Sequence, residues 1–296
     1  MVTMREDTGA DGGRTIDLHA HSAVSDGTES PAELVRSALA AGLDVVALTD
    51  HDTVAGWDEA LTAARGTSLT VVPGIEISTR HEGLSVHLLA YGIDPSPATD
   101  LARRLVRVRD SRLTRAERMV ERIGADYPIT WSAVIEVAES HGVAAGSIGR
   151  PHIADALVAA RVVPHRAAAF EGVLSGASPY YVRYEGIETA TAIAAVHEAG
   201  GVAIAAHMLS EGRGRRRVQD SQVCELAELG MDGIEIDHRE HTEAQRDRLR
   251  LLAERLGLIR TGGSDYHGSG KPNRLGENLT APDQFDALMR RVQAPK

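Results

Sequence analysis

The chain has 296 residues, 42 of them acidic and 32 basic, for a net charge of −10. That length suits one large α/β domain or a barrel with an insertion, and the acidity argues against duplex DNA or general nucleic-acid affinity. A single cysteine, Cys224, excludes an intramolecular disulfide framework and fits a cytoplasmic protein, and no apolar run is long enough to span a bilayer.

Residues 1–14 are acidic and Gly-rich and read as a disordered leader, not a signal peptide. RTIDLHAH (14–21) reads as a short strand. Ser30-Pro31-Ala32-Glu33 starts a helix, with Ser as cap, Pro at the first position and Glu at the third; the helix ends at Gly42. DVVALTDHD (44–52) is apolar on both faces, as a buried parallel strand should be. LTVVPGIEIS (69–78) and SVHLLAYGI (85–93) are two more strands, and the alternation with helices predicts a parallel α/β fold. From the Pro-rich DPSPATD at 94 to about 186 the pattern is almost all helical. The strand–helix rhythm then resumes through VAIAAH (202–207), GIEID (233–237) and LIRTGGSDYH (258–267). The strand–helix pattern therefore covers 15–93 and 187–296 and is interrupted by a helical insertion over 94–186. Cys224 is expected to be packed in the core, and His81 in a loop before a Gly turn.

Strand ends carry the chemistry. His19 and His21 stand at i and i+2, so their side chains share a face. Asp26 follows five residues after His21. His51 lies in TDHD, Glu76 in GIE, His87 in SVHLLAYG and His207 after VAIAA, and Asp265 and His267 lie in GGSDYHG. Neutral imidazole and carboxylate suit zinc, manganese and iron. Nine such residues on six strand-end segments point to a metal cluster.

In this order the motifs resemble the PHP superfamily, named for polymerase and histidinol phosphatase, from about Thr15 to about Leu279. The resemblance implies a distorted (β/α)7 barrel with two to three divalent ions at the C-terminal strand ends. The implied ligands are His19, His21, Asp26, His51, Glu76, His87, His207, Asp265 and His267, with Glu76 bridging two ions. Met208 departs from the family, which often has Pro there.

Phosphate recognition is expected from the insertion. A long arginine-rich helix over 101–123 carries a stripe of Leu101, Leu105, Val108, Ala116, Met119 and Ile123, and Arg112 falls on it. A buried-face arginine needs a partner: an anion over the metal site, with Arg115 a turn further on, or an internal carboxylate. In GSIGRPHIADAL (146–157), Arg150 and His152 flank a helix N-terminus begun by Pro151, a place that favours phosphate. This segment resembles the GRPH stretch of the PHP subgroup acting on nucleoside monophosphates and 3′,5′-bisphosphates. Lys271 near the last ligands is a further phosphate contact, and His238 and His241, after GIEID, are weaker candidates. The expected activity is hydrolysis of a nucleotide phosphomonoester, such as AMP or a 3′,5′-bisphosphate, by metal-activated hydroxide. Alternatives are a 5′→3′ exonuclease on short RNA, a histidinol phosphatase, and a non-catalytic accessory domain.

Overall fold

The computed structural model describes residues 13–141, 143, 148–183, 186–209 and 218–293. The leader expected over 1–14 falls almost wholly outside these residues, as do Gly146 and Ser147 of the GSIGRPH segment.

Seven strands bend into a nearly closed sheet: β1 (Ile16–Ala20), β2 (Val45–Leu48), β3 (Thr70–His81), β4 (Leu84–Tyr91), β6 (Val202–Ala206), β7 (Gly233–Asp237) and β8 (Ile259–Gly262), hydrogen-bonded in that order. A two-residue strand, β5 (Ile187–Glu188), pairs with the outer end of β3. The ring closes between its first and last strands, where the His21 N–H donates to the Tyr266 carbonyl at 2.8 Å.

Alternate residues of each strand face two apolar layers. Inside, Leu18, Ala47, Val72, Leu89 and Ile204 pack with Phe285, Leu288 and Met289 of the terminal helix α10 (Pro282–Gln293). Outside β1–β3 lie α1 (Pro31–Ala40), which has the full capping box expected at Ser30 and Glu33, and α2 (Trp57–Ala64). The rest of the outer face is covered by α7 (Thr189–Glu198), α8 (Asp220–Glu228) and α9 (Glu243–Leu256).

The structure corrects the all-parallel reading. β4 runs antiparallel to both its neighbours, and no helix separates it from β3. The cause is local: Glu82 and Gly83 both take positive φ, 47° and 81°, the signature of a two-residue hairpin turn whose twist matches the strands. His81 is accordingly the last residue of β3 and buried, with Nε2 3.1 Å from Glu225, rather than a loop residue. Cys224 packs against the outer core as a partly buried residue, and its sulfur accepts from Arg255 at 3.1 Å.

Between β4 and β5 lie α3 (Asp100–Gly124), α4 (Trp131–Ser140), α5 (Arg150–Ala159) and α6 (Arg166–Glu171). Met119, Ile123, Val134, Ile153 and Leu157 form an apolar core of their own. Leu101, Leu105 and Val108, from the first turns of α3, pack instead into the outer core of the barrel. This one helix therefore belongs to both.

Candidate metal centre

The expected strand-end residues converge at one mouth of the barrel. His19 and His21 are fully buried and their Nε2 atoms lie 3.1 Å apart. His51 follows β2 and bridges to Glu76 of β3. Because β4 is antiparallel, His87 reaches the same mouth from the first half of its strand, paired with Ser78 and Ala206. Asp52, His207 and Asp265 adopt positive φ of 55°, 28° and 52°. Such strain in non-glycine residues gathers where surrounding structure must aim a functional group.

Glu76 sits at the centre. His87 Nδ1 and His207 Nε2 lie 2.7 and 3.0 Å from its Oε1. His21 Nε2, His51 Nδ1 and His19 Nε2 lie 3.1, 3.2 and 3.4 Å from its Oε2. Asp26 Oδ1 is 3.1 Å from His267 Nε2, and its Oδ2 is 3.8 Å from His51 Nε2. Asp265 Oδ1 lies 3.4 Å from His21 Nε2. At this mouth, among the described residues, three sets of donor atoms come close enough to hold an ion: His21, Asp26, His51 and His267; His19, His21, Glu76 and Asp265; and His51, Glu76 and His87.

The donor set fits divalent metals on two counts. Glu76 Oε2, His51 Nδ1 and His267 Nε2 are buried without a hydrogen-bond partner, a condition that proteins avoid unless something else satisfies the atoms. Second, the tautomers are set. His19 Nδ1 lies 3.0 Å from Glu235 Oε1, and His267 Nδ1 lies 2.8 Å from the Asp265 carbonyl. Each ring donates there, which leaves Nε2 as a lone pair facing the cluster.

The buried carboxylates and imidazoles shift one another: for His19, burial is outweighed by Glu235 and Glu76, which raise it well above its ordinary value. Burial alone would push the Glu76 carboxyl up, but His51, His87 and His19 hold it well below its ordinary value. Asp26 is likewise held low against burial by His267 and His51. Burial drives His207 down to about 4 and His51 well below its ordinary value. For His21, burial is outweighed by hydrogen bonds to Asp265 and Glu76, and its value rises to about 9. A proton held there competes with a cation, and metal loading would release it.

Several supporting residues escaped the sequence reading. Glu235 of β7 is fully buried; besides His19 it accepts the His207 N–H on Oε2 at 2.8 Å. The sheet register slips at both partners, between Asp17 and Ala20 and between Glu235 and Asp237, and bulges of this kind re-aim side chains. Gly263 makes the contact possible: a Cβ there would lie 2.3 Å from His19 Cβ. Asp50 accepts from Ser22 and Ser25 hydroxyls at 2.6 Å each and so shapes the loop that carries Asp26. Asp17 accepts the Ser264 and Gly276 N–H groups at 2.9 Å each.

Of the expected phosphate contacts, Lys271 Nζ sits 2.7 Å from Asp265 Oδ2 at the mouth. Arg112 has an internal carboxylate partner: its Nη1 donates to buried Asp52 Oδ2 at 2.6 Å. Arg115 donates to the Val182 carbonyl at 2.6 Å and lies over the Tyr181 ring. Arg150 stacks on Phe170 and Tyr181 and reaches the Leu174 carbonyl. His152 is buried; Nδ1 accepts the Gly149 N–H at 2.9 Å, and Nε2 has no hydrogen-bond partner. His241 is closed to any ligand, since Nδ1 donates to the Ile236 carbonyl and Nε2 accepts the Leu209 N–H.

Comparison with known proteins places this architecture. The PHP domain profile matches residues 17–136. A 5′-3′ exoribonuclease of Haemophilus influenzae is 34% identical over 91% of this chain and 96% of its own length. This chain belongs to the PHP superfamily. A 3′,5′-nucleoside bisphosphate phosphatase of Chromobacterium violaceum is 30% identical over 94% of the chain and 96% of its own. Among solved structures, a Bifidobacterium adolescentis protein described as a metal-dependent phosphoesterase superposes with a TM-score of 0.89, at 45% identity over 94% of this chain and 96% of the other. As a PHP protein the chain is a metal-dependent phosphoesterase, a hydrolase. No helix among the described residues is long and apolar enough to cross a membrane.

Proposed function

We propose that this PHP protein hydrolyses a nucleotide phosphomonoester, AMP or a nucleoside 3′,5′-bisphosphate. The observation that carries the reading is Glu76: its two oxygens divide five imidazoles into two sets, as a carboxylate joining two cations would. In this reading His19, His21, Asp26, His51, Glu76, His87, His207, Asp265 and His267 hold two to three ions of manganese, zinc or iron. Such ions would supply an activated water at neutral pH and neutralise charge on phosphoryl oxygens.

The chain's own groups do the rest. Glu235 keeps the His19 lone pair toward the mouth. Lys271 brings a cation to the Asp265 side, where a phosphoryl oxygen would sit. The segment 94–186 caps the barrel of 15–93 and 187–296. His152 is buried in this segment, with Nδ1 on the Gly149 N–H and Nε2 without a hydrogen-bond partner. Arg112, Arg115 and Arg150 supply the cap's positive charge, with Arg150 at the start of α5. The Chromobacterium violaceum relative favours the bisphosphate. A second reading, trimming of short RNA from the 5′ end, is favoured by the Haemophilus influenzae relative.

The test is a panel of AMP, nucleoside 3′,5′-bisphosphates, short oligoribonucleotides and histidinol phosphate, assayed with manganese alongside metal analysis. The proposal expects the highest kcat/KM on a mononucleotide and two to three metal equivalents. Preference for oligoribonucleotides would move the assignment to the second reading. One equivalent or fewer in active protein would refute the cluster.

A further inference from the structure

His238 directly follows β7 and is fully buried among the candidate ligands, its ring 5.2 Å from that of His207 and 6.4 Å from that of His19. Its hydrogen bonds set it apart from them. Nδ1 accepts the backbone N–H of Glu240 at 3.2 Å. A neutral imidazole carries one proton, so that bond places the proton on Nε2. Protonating the ring as well would set an Nδ1–H against the Glu240 N–H. Nε2 of His238 is therefore a donor and has no lone pair for a metal. His19 shows the reverse arrangement, with Nδ1 on Glu235 and Nε2 toward the cluster.

This donor is buried and has no hydrogen-bond partner. Asp265 Oδ2 lies 3.7 Å away, beyond hydrogen-bond reach, and already receives Lys271 at 2.7 Å. Native folds rarely keep a desolvated N–H unmet, and those that remain call for an acceptor that arrives later. An oxygen entering the mouth beside Asp265 and Lys271 would meet it.

We propose that His238 is a substrate-binding residue whose Nε2–H donates to a phosphate oxygen beside Asp265 and Lys271. The proposal rests on the phosphoester chemistry of the site.

Inorganic phosphate is the probe. It is titrated by calorimetry into the manganese-loaded full chain and into His238→Asn and His238→Gln. Asn puts an acceptor near the place of Nδ1 and keeps the Glu240 bond, but has no donor at the Nε2 position. Gln carries an amide N–H to that position. Phosphate affinity should fall roughly tenfold or more in His238→Asn, the scale of one hydrogen bond to a charged acceptor. His238→Gln should keep most of it, and metal content should stay at the wild-type level in both. Nitrogen-15 spectra of the zinc-loaded protein should show His238 protonated on Nε2 alone, with that signal moving when phosphate is added. Equal phosphate affinity in wild type and His238→Asn, loss of metal in that variant, or an unprotonated Nε2 would each overturn the assignment. A wild-type protein that binds no phosphate would instead refute the phosphoester reading, and the proposal with it.

Discussion

Replacing Glu235 by Gln should change metal affinity without touching a candidate ligand. Both oxygens of Glu235 act as acceptors, Oε1 for His19 Nδ1 at 3.0 Å and Oε2 for the His207 N–H at 2.8 Å. Burial pushes this carboxyl up, but the His19 beside it holds the value at about 2, so the group is ionised. Gln keeps one acceptor and adds an NH2. If the NH2 faces the His207 N–H, a buried donor goes unmet, at about 1–3 kcal/mol of stability. If it faces His19, the ring must accept on Nδ1 and carry its proton on Nε2, the atom that faces His21 and Glu76. Either outcome disturbs a ligand, and loss of such an orienting partner weakens metal affinity by about 10–100-fold. Competition against a chromophoric chelator reads the affinity, and denaturant unfolding of the metal-free protein reads the stability. Wild-type values in both would refute the tautomer argument.

Glu76→Gln should lower kcat by at least roughly 10³-fold, because it removes the group shared by both imidazole sets; near wild-type turnover at saturating manganese would count against a bridging role. Gly263→Ala forces a Cβ to 2.3 Å from His19 Cβ, so it should destabilise by about 1–3 kcal/mol and weaken metal binding, both measurable by unfolding with and without metal. Burial pulls His152 down to about 4, below the 6.5 of the unfolded chain. Between these values the unfolded chain binds a proton that the fold excludes, so stability should drop by up to roughly 3 kcal/mol as pH falls from 6.5 to 4; His152→Asn should flatten that slope, and an unchanged slope would dismiss it. If Arg150 grips phosphate, Arg150→Lys should raise KM or lower kcat; a loss of stability with both constants unchanged would mean that its stacking on Phe170 and Tyr181 is its whole role.

The candidate ligands were legible because each combines a metal-capable side chain with a strand end. Strand ends can be read from apolar runs. Their orienting partners were not read. Glu235 lies inside GIEID and Asp17 inside IDLHA, within strands buried almost throughout. A carboxylate there must have partners, which is a usable signal, but the identity of the partner depends on which strands become neighbours. The direction of β4 was hidden for a related reason. Glu82-Gly83 lacks the Asn-Gly or Asp-Gly pair that announces a two-residue turn, and apolar strands look alike in either direction. The terminal helix α10 had a readable stripe in Phe285, Leu288 and Met289, but it lies beyond the last motif and went unassigned.

Arg112 shows where a sequence stops short. Its place on a buried stripe demanded a negative partner, and an incoming anion and an internal carboxylate satisfy that demand equally. The fold supplies Asp52, and the location of Asp52 gives the pairing its meaning. Its N–H donates to the Glu76 carbonyl at 2.9 Å, its Oδ1 accepts the Ser78 N–H at 2.7 Å, and its own carbonyl accepts from Arg109 at 2.7 Å. Asp52 thus ties the His51 loop to the strand of Glu76 and binds two arginines of α3 as well. A helical segment joined to the barrel only by its connecting chain could shift without disturbing the candidate metal centre. Here the helix that begins in the outer core of the barrel and ends in the helical core is fastened beside two candidate ligands. The position of α3 and the geometry at His51 and Glu76 are therefore set by the same bonds.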